Sequence, residues 1–430
     1  MTKKILSSLV LCLALVSCGE ELDYVNTPQT PVLSAKASVA ILDSPETEER
    51  LDISAFMCVD SLRGRILHMA GSTKQQLRYL DTFDGTSKPL FDLTAMATGF
   101  EGAVEYIKVL SDGNYLLYEA RDGGLDRLWK LWPEEGRMEN VFTFRNTYQY
   151  LRYNWGLEYD SDHGILYLSE YGNSLDYQPN SSQTALGYKA DANRIWMSKD
   201  NARTWSVFYD FRSREDLQTE YFHIHGLGYD SHKRRLYVTS GDGWVDANHC
   251  NKRLWWFEED SETPLFREMR YYWGQTNDAF SHAQIVSFYV AEDFIVAGGD
   301  DYQNCLYRID KDCLSDSLKL EIVYQYDSSV SSLITQYTSR FKRLSNGMIV
   351  TMLVNGDTGA LPRQMRLVGT YDGYQWIELF HGYQETSETN FWSSGLFDEW
   401  KGYLYFNVKD IDAEGRKITR FIKMKTPENV

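Results

Sequence analysis

The chain has 430 residues, with 61 acidic against 44 basic side chains and a formal net charge of −17. That balance, together with the lack of any basic tract, argues against nucleic acid as a partner. A locally basic site on an acidic shell still admits an anionic glycan. Its 12 Trp, 30 Tyr and 20 Phe against 9 Pro suit many short, half-buried strands.

At the N-terminus, Lys3 and Lys4 precede an apolar run from Ile5 to Val16, too short for a stable membrane-spanning helix. It ends in Leu15-Val16-Ser17-Cys18, which resembles the lipobox of bacterial lipoproteins. The resemblance implies a signal peptide over residues 1–17, cleavage before Cys18 and a lipid on its thiol. Gly19-Glu20-Glu21, with no Asp directly after the cysteine, is similar to the export sequences of Bacteroidetes outer-membrane lipoproteins. That likeness implies an outer-membrane location, facing the surface or the periplasm. The alternative is an ordinary secretory signal with an incidental cysteine. From Leu22 to Arg50 the chain is polar and interrupted by Pro28, Pro31 and Pro45. Residues 18–50 therefore read as a tether, and residues 51–430 as one domain.

The body repeats itself. Gly156-Leu157-Glu158-Tyr159-Asp160 followed by Gly164-Ile165-Leu166-Tyr167 returns as Gly226-Leu227-Gly228-Tyr229-Asp230 followed by Arg235-Leu236-Tyr237. Val109 to Tyr115 and Arg343 to Ile349 form a second pair. Each unit reads as strand, tight turn, strand, and then an aromatic strand such as Arg194-Ile195-Trp196-Met197. Seven segments follow in order, near residues 64–93, 104–144, 153–211, 223–269, 282–326, 339–380 and 393–425. Repetition at this period predicts an all-β, seven-bladed β-propeller. Six or eight blades are the alternatives, because the N-terminal segment is poorly marked.

Ser198-Lys199-Asp200-Asn201-Ala202-Arg203-Thr204-Trp205 resembles the Asp-box of BNR-type, sialidase-like propellers, with Ala202 where glycine is usual. Thr370 to Trp376 is a looser echo. The resemblance implies a structural role, in which the Asp binds turn amides and the Trp packs between sheets. Beyond Cys12 and Cys18, the four cysteines Cys58, Cys250, Cys305 and Cys313 have neither CxxC nor zinc-finger spacing. Cys305 and Cys313 either close a short loop or stay as buried thiols.

In a propeller the starts of the inner strands ring one mouth of the channel, so distant residues converge there. Aligning the units at that point brings together His223 and His225, Tyr153 and Trp155, and His282 and Gln284, with Tyr106 and Arg340 level with His225. His223, His225, His282 and Gln284 could bind a divalent cation. They could equally form a general base with its orienting partners, or a hydrogen-bonded rim without either. Asp242 and Asp300, with Glu170-Tyr171 at the matching place, follow the second strands, where turn chemistry alone also explains Asp beside Gly. Trp155, Tyr106, Trp244, Tyr302 and Trp392 suit stacking on sugar rings. His163 and His232 fall in hairpin turns at the opposite end.

The stretch His223 to Gly243 looks like a motif of BNR/Asp-box propellers from bacterial glycan-processing systems, which implies an extracellular glycan as partner. The F/Y-R-I-P box of sialidases is missing. Propeller polysaccharide lyases resemble the chain in chemistry, although their residue spacing differs. That likeness implies β-elimination of a uronate-containing glycan, chemistry that needs the carboxylate neutralised, a base and an acid. Arg340 or a metal could neutralise, His223 or His225 could take the proton, and Tyr171 or Tyr153 could donate one. A glycoside hydrolase using Asp242, Asp300 and Glu170 and a non-catalytic glycan-binding or adhesion propeller are the competing functions.

Overall fold

The computed structural model describes residues 33–42, 45–53, 55–71, 73–145, 149–150, 155–172, 194–213, 223–241, 244–246, 249–250, 252–258, 261, 263–272, 280–299, 305–311, 318–325, 336–355, 363–384, 396–411 and 416–427. Seven antiparallel sheets follow one another along the chain as the blades of a propeller. Their inner strands are Ala55–Asp60, Ala103–Val109, Leu157–Asp160, His223–Asp230, Ile285–Val290, the broken pair Gln336–Thr338 and Lys342–Arg343, and Phe397–Trp400. Blade 1 begins with Ala55–Asp60, an inner strand that the repeat pattern alone leaves unmarked.

Residues 33–50, read from sequence as tether, are part of the body. Leu33 bridges Ile322 on the outer strand of blade 5. Ser38–Ile41 lies parallel to Gln375–Glu378 on blade 6. Thr47–Arg50 then supplies the outer strand of blade 7, with Thr47 opposite Met424 and Arg50 opposite Phe421. This strand is polar because it sits on the outside of the ring. Glu48 pairs with Lys423 at 3.0 Å and Glu49 with Arg420 at 3.0 Å.

The repeated Asp at the end of an inner strand closes the hairpin that follows it. One oxygen of Asp160 accepts from the amides of Asp162 and His163 at 3.2 and 3.4 Å. Asp230 does the same for His232 and Lys233 at 3.0 and 3.1 Å. The second oxygen meets a side chain: His163 at 2.7 Å in blade 3, and the buried ammonium of Lys311 in blade 4. Lys311 reaches from blade 5, so this ion pair ties neighbouring blades together.

Alternation then builds the core. Successive strand residues face opposite sides of a sheet, so Trp255 packs with Tyr167, Ile195 and Phe211 of blade 3. Its neighbour Trp256 packs with Ile285, Phe288 and Tyr307 of blade 5. Close approach of blades 4 and 5 requires Gly228, where a Cβ would come within 2.4 Å of the Phe288 ring. The inner strands of blades 1, 2, 4 and 5 each carry a register shift in their first half, at Phe56/Cys58, Val104/Tyr106, Ile224/Leu227 and Ile285/Ser287. Such bulges re-aim the side chains beside the axis.

Candidate functional site

The sequence-predicted site residues divide between two levels of the ring. At the strand starts, the His225 ring is buried, with Nδ1 3.2 Å from the Ile285 carbonyl oxygen. It stacks on Tyr171, with centroids 5.9 Å apart and planes at 21°. Gly241 leaves room for it, since a Cβ there would lie 2.6 Å from His225 Cε1 and 3.4 Å from Gln284 Cγ. Tyr171, His225 and Gln284 are therefore brought together. Trp155 is buried beside them, its carbonyl accepting from the Leu227 amide at 3.0 Å.

His223 begins the inner strand of blade 4, and His282 lies in Phe280–His282, paired to Arg270–Tyr272. The side chains of both fall outside the described residues, as does that of Trp244 in the short strand Trp244–Asp246. Tyr153, Asp242, Asp300, Tyr302, Trp392 and Cys313 also lie outside them, as does the lipidation candidate Cys18. Among the described residues no group of three or more His, Cys, Asp or Glu side chains is placed to hold a metal ion.

Arg340 and Tyr106, expected level with His225, sit deeper. Both line a cavity of about 720 Å³ on the ring axis, to which all seven blades contribute and which opens at the inner hairpin turns. None of Trp155, Tyr171, His225 or Gln284 lines it. Arg340 projects from blade 6 across the lumen. It donates to the Leu157 carbonyl at 2.7 Å and to Glu158 Oε2 at 2.6 Å, both on blade 3. Tyr106 of blade 2 faces the same guanidinium, and burial pushes its phenol up to about 12. Blades 3 and 6 are not neighbours, so these contacts form a bar across the axis.

Two further groups in this cavity escaped the sequence reading. Lys342 pairs with Asp398, whose other oxygen accepts from the Val59 amide at 2.9 Å. Lys108 lies half-buried on the inner strand of blade 2, its ammonium 5.5 Å from the centre of the Tyr159 ring. Burial, followed by the like charges of Arg340 and Lys342, pushes its amine down to about 8, against the opposing pull of Glu158 and Asp398. A lysine between Ile107 and Val109 on an inner strand is the signal that could have found it. Cys58 lines the same cavity as a buried free thiol, pushed up by burial. Cys305 is buried in blade 5.

Other candidates are tied into the blades by hydrogen bonds. Glu170 is fully buried and accepts from the Trp196 indole at 2.8 Å. The matching Glu119 of blade 2 accepts from the Trp129 indole and from the Glu101 and Gly102 amides at 2.6–2.8 Å. In blade 4, Ser240 takes the Trp255 indole at 2.8 Å. In the 198–205 turn, Asp200 Oδ1 accepts from the Arg203 and Thr204 amides at 3.0 and 2.9 Å, and Ser198 Oγ from the Ala202 amide at 2.9 Å. Asp372 repeats this with the Tyr374 and Gln375 amides, both at 2.8 Å.

Fold and cavity together define a seven-bladed propeller with an axial pocket. No family model matches the chain. Among curated proteins it is similar to subunit J of the chloroplastic NAD(P)H-quinone oxidoreductase of Oryza sativa, 30% identical over 77 residues. That stretch is 18% of this chain, and the chain spans only 43% of that relative's length. Among solved structures it is similar to the periplasmic gluconolactonase PpgL of Pseudomonas aeruginosa, with 10% identity and a TM-score of 0.47, covering 84% of this chain and 96% of that one. The N-terminal domain of Nup159 gives 9%, 0.46, 92% and 100% in the same order. TolB of Acinetobacter baumannii gives 9%, 0.36, 77% and 65%. Likeness at this distance carries no activity, substrate or partner across.

Proposed function

We propose that this protein is a cell-envelope propeller, anchored through a lipid on Cys18, that takes a uronate-bearing glycan into its axial cavity. The observation that carries this reading is the charge pattern of the cavity floor. Glu158 and Asp398 are matched to Arg340 and Lys342. That leaves the Lys108 ammonium against the Tyr159 ring, with no ion pair to a carboxylate among the described residues. A sugar carboxylate supplies the missing counter-charge through a charge-assisted hydrogen bond. Tyr106, Tyr159 and Tyr289 line the same space and offer surfaces for sugar rings. A volume of about 720 Å³ lies within the usual range for a small-ligand pocket.

β-Elimination in this cavity is a second reading, favoured by the lowered basicity of Lys108. A base takes the proton from C5, and the released electron pair forms the C4–C5 double bond. The C4–O bond then breaks, and its oxygen takes up a proton. Neutral Lys108 serves as the base. Tyr106, kept protonated by burial, returns the proton, and Arg340 faces the carboxylate. Lys108 takes this role in place of His225 because Arg340 does not share a cavity with His225.

Calorimetric titration of the mature protein with a galacturonate trimer tests the binding reading. Wild type should bind, and Lys108→Met should weaken binding by at least ~10-fold. Binding of neutral oligosaccharides but of no uronate would refute it. Ultraviolet absorbance of an unsaturated uronate in the same samples distinguishes a lyase from a binder.

A further inference from the structure

We infer that the axial cavity recognises the free end of an acidic glycan chain and not its internal segments, an inference that rests on the uronate reading above. The first ground is the bar formed by Arg340 with Leu157 and Glu158. It crosses the lumen from blade 6 to blade 3, and the described residues nearer the strand starts do not line the cavity beyond it. Among the described residues the space is therefore a blind pocket. Along blade 3 it runs up the strand from Glu158 at the bar to Asp160, about 7 Å at the rise of a strand, and on past the turn residues Ser161 and Asp162. A chain can enter it end-first but cannot thread through.

The second ground is the sign of the charge at the two ends of the pocket. With Arg340 and Lys342 matched by Glu158 and Asp398, the floor presents, among the described residues, the one unmatched cation Lys108. The hairpin mouth instead carries the exposed carboxylates of Asp162 and Glu292 against the single exposed cation Arg343. A polyanion lying across the mouth would set its own carboxylates against these and leave the floor unreached. A terminal residue that enters trades that repulsion for the floor's positive charge. Selectivity for ends thus follows from depth and from repulsion at the rim, without any contact specific to a sugar hydroxyl.

The test uses wild-type mature protein and galacturonate oligomers of increasing length, a trimer, a hexamer and a dodecamer, titrated by calorimetry. End recognition gives one protein per chain at every length, with affinity per chain unchanged. Modifying the end that enters, by reduction to the alditol or by unsaturation of the non-reducing sugar, abolishes binding. Arg340→Met weakens every length alike, by at least ~10-fold. A protein-to-chain ratio that rises with length, or full binding when both ends are modified, overturns end recognition and leaves the uronate reading standing. Failure of every length to bind refutes both.

Discussion

Replacing Lys108 with Met should weaken uronate binding and at the same time make the fold more stable. An amine pushed from 10.5 to about 8 carries a penalty of about 3 kcal/mol in its charged form. Channel water reaches the half-buried side chain, so about 1–3 kcal/mol should survive screening. Below the folded value, folded and unfolded chains both hold the proton and the penalty is felt in full. Between about 8 and 10.5 the unfolded chain holds more protons, so wild-type stability rises with pH. Met fills a similar volume without charge and removes both the penalty and that slope. Its loss of one charge-assisted hydrogen bond to the ligand should cost about 1.5–3 kcal/mol of binding, or roughly 10- to 150-fold. Urea denaturation at about pH 7 and about pH 10, paired with calorimetry of the trimer, measures both effects. A variant that is less stable than wild type near neutrality and binds as well as wild type would refute the reasoning.

Three further outcomes are expected. Lys311→Met strands the buried Asp230 carboxylate and should cost about 3–5 kcal/mol in urea denaturation; adding Asp230→Asn, which can still accept from the turn amides, should recover most of it. Asp200→Ala removes the acceptor for two backbone amides and the Thr204 hydroxyl, costing about 1–2 kcal/mol of stability without altering ligand affinity. Burial, then the nearby Arg78, push His68 down from 6.5 to about 4. Its stabilisation is therefore complete above the unfolded value and is lost as pH falls from 6.5 toward 4, by about 3 kcal/mol at most. In His68→Leu this part of the acid limb should flatten, and an unchanged limb would show that the imidazole is not its source.

The blades are legible in the sequence because hairpin chemistry is local. Asp160 and Asp230 reach amides two and three residues on, so the Tyr-Asp signal marks a turn wherever it occurs. Trp255 and Trp256 likewise declare a strand buried on both faces. Thr47-Glu48-Glu49-Arg50 does not declare itself, because a strand on the outside of a ring buries little and shows no apolar period. The level of Tyr106 and Arg340 was missed for a different reason. Alignment by period-two alternation assumes an unbroken ladder, but the shifts at Ile224/Leu227 and Val104/Tyr106 insert residues that pattern cannot see. Tyr106 and Arg340 were therefore set level with His225, although they face a separate cavity. Lys108 was passed over because, in sequence, a lysine in a strand reads as solvent-facing. Only ring closure turns that face toward the axis.

Blade 7 takes three strands from the C-terminal end of the chain and its fourth from Thr47–Arg50. During synthesis Thr47–Arg50 must wait for Lys417–Lys425, more than 360 residues later, so the ring cannot shut until all seven blades have been made. A strand left waiting in this way is an open edge that invites pairing with other chains. Two adjacent glutamates at its centre keep it hydrated and self-repelling until Lys423 and Arg420 arrive to neutralise them. The polar composition that makes this stretch look like linker is what lets it stay single through the time it takes to make the rest.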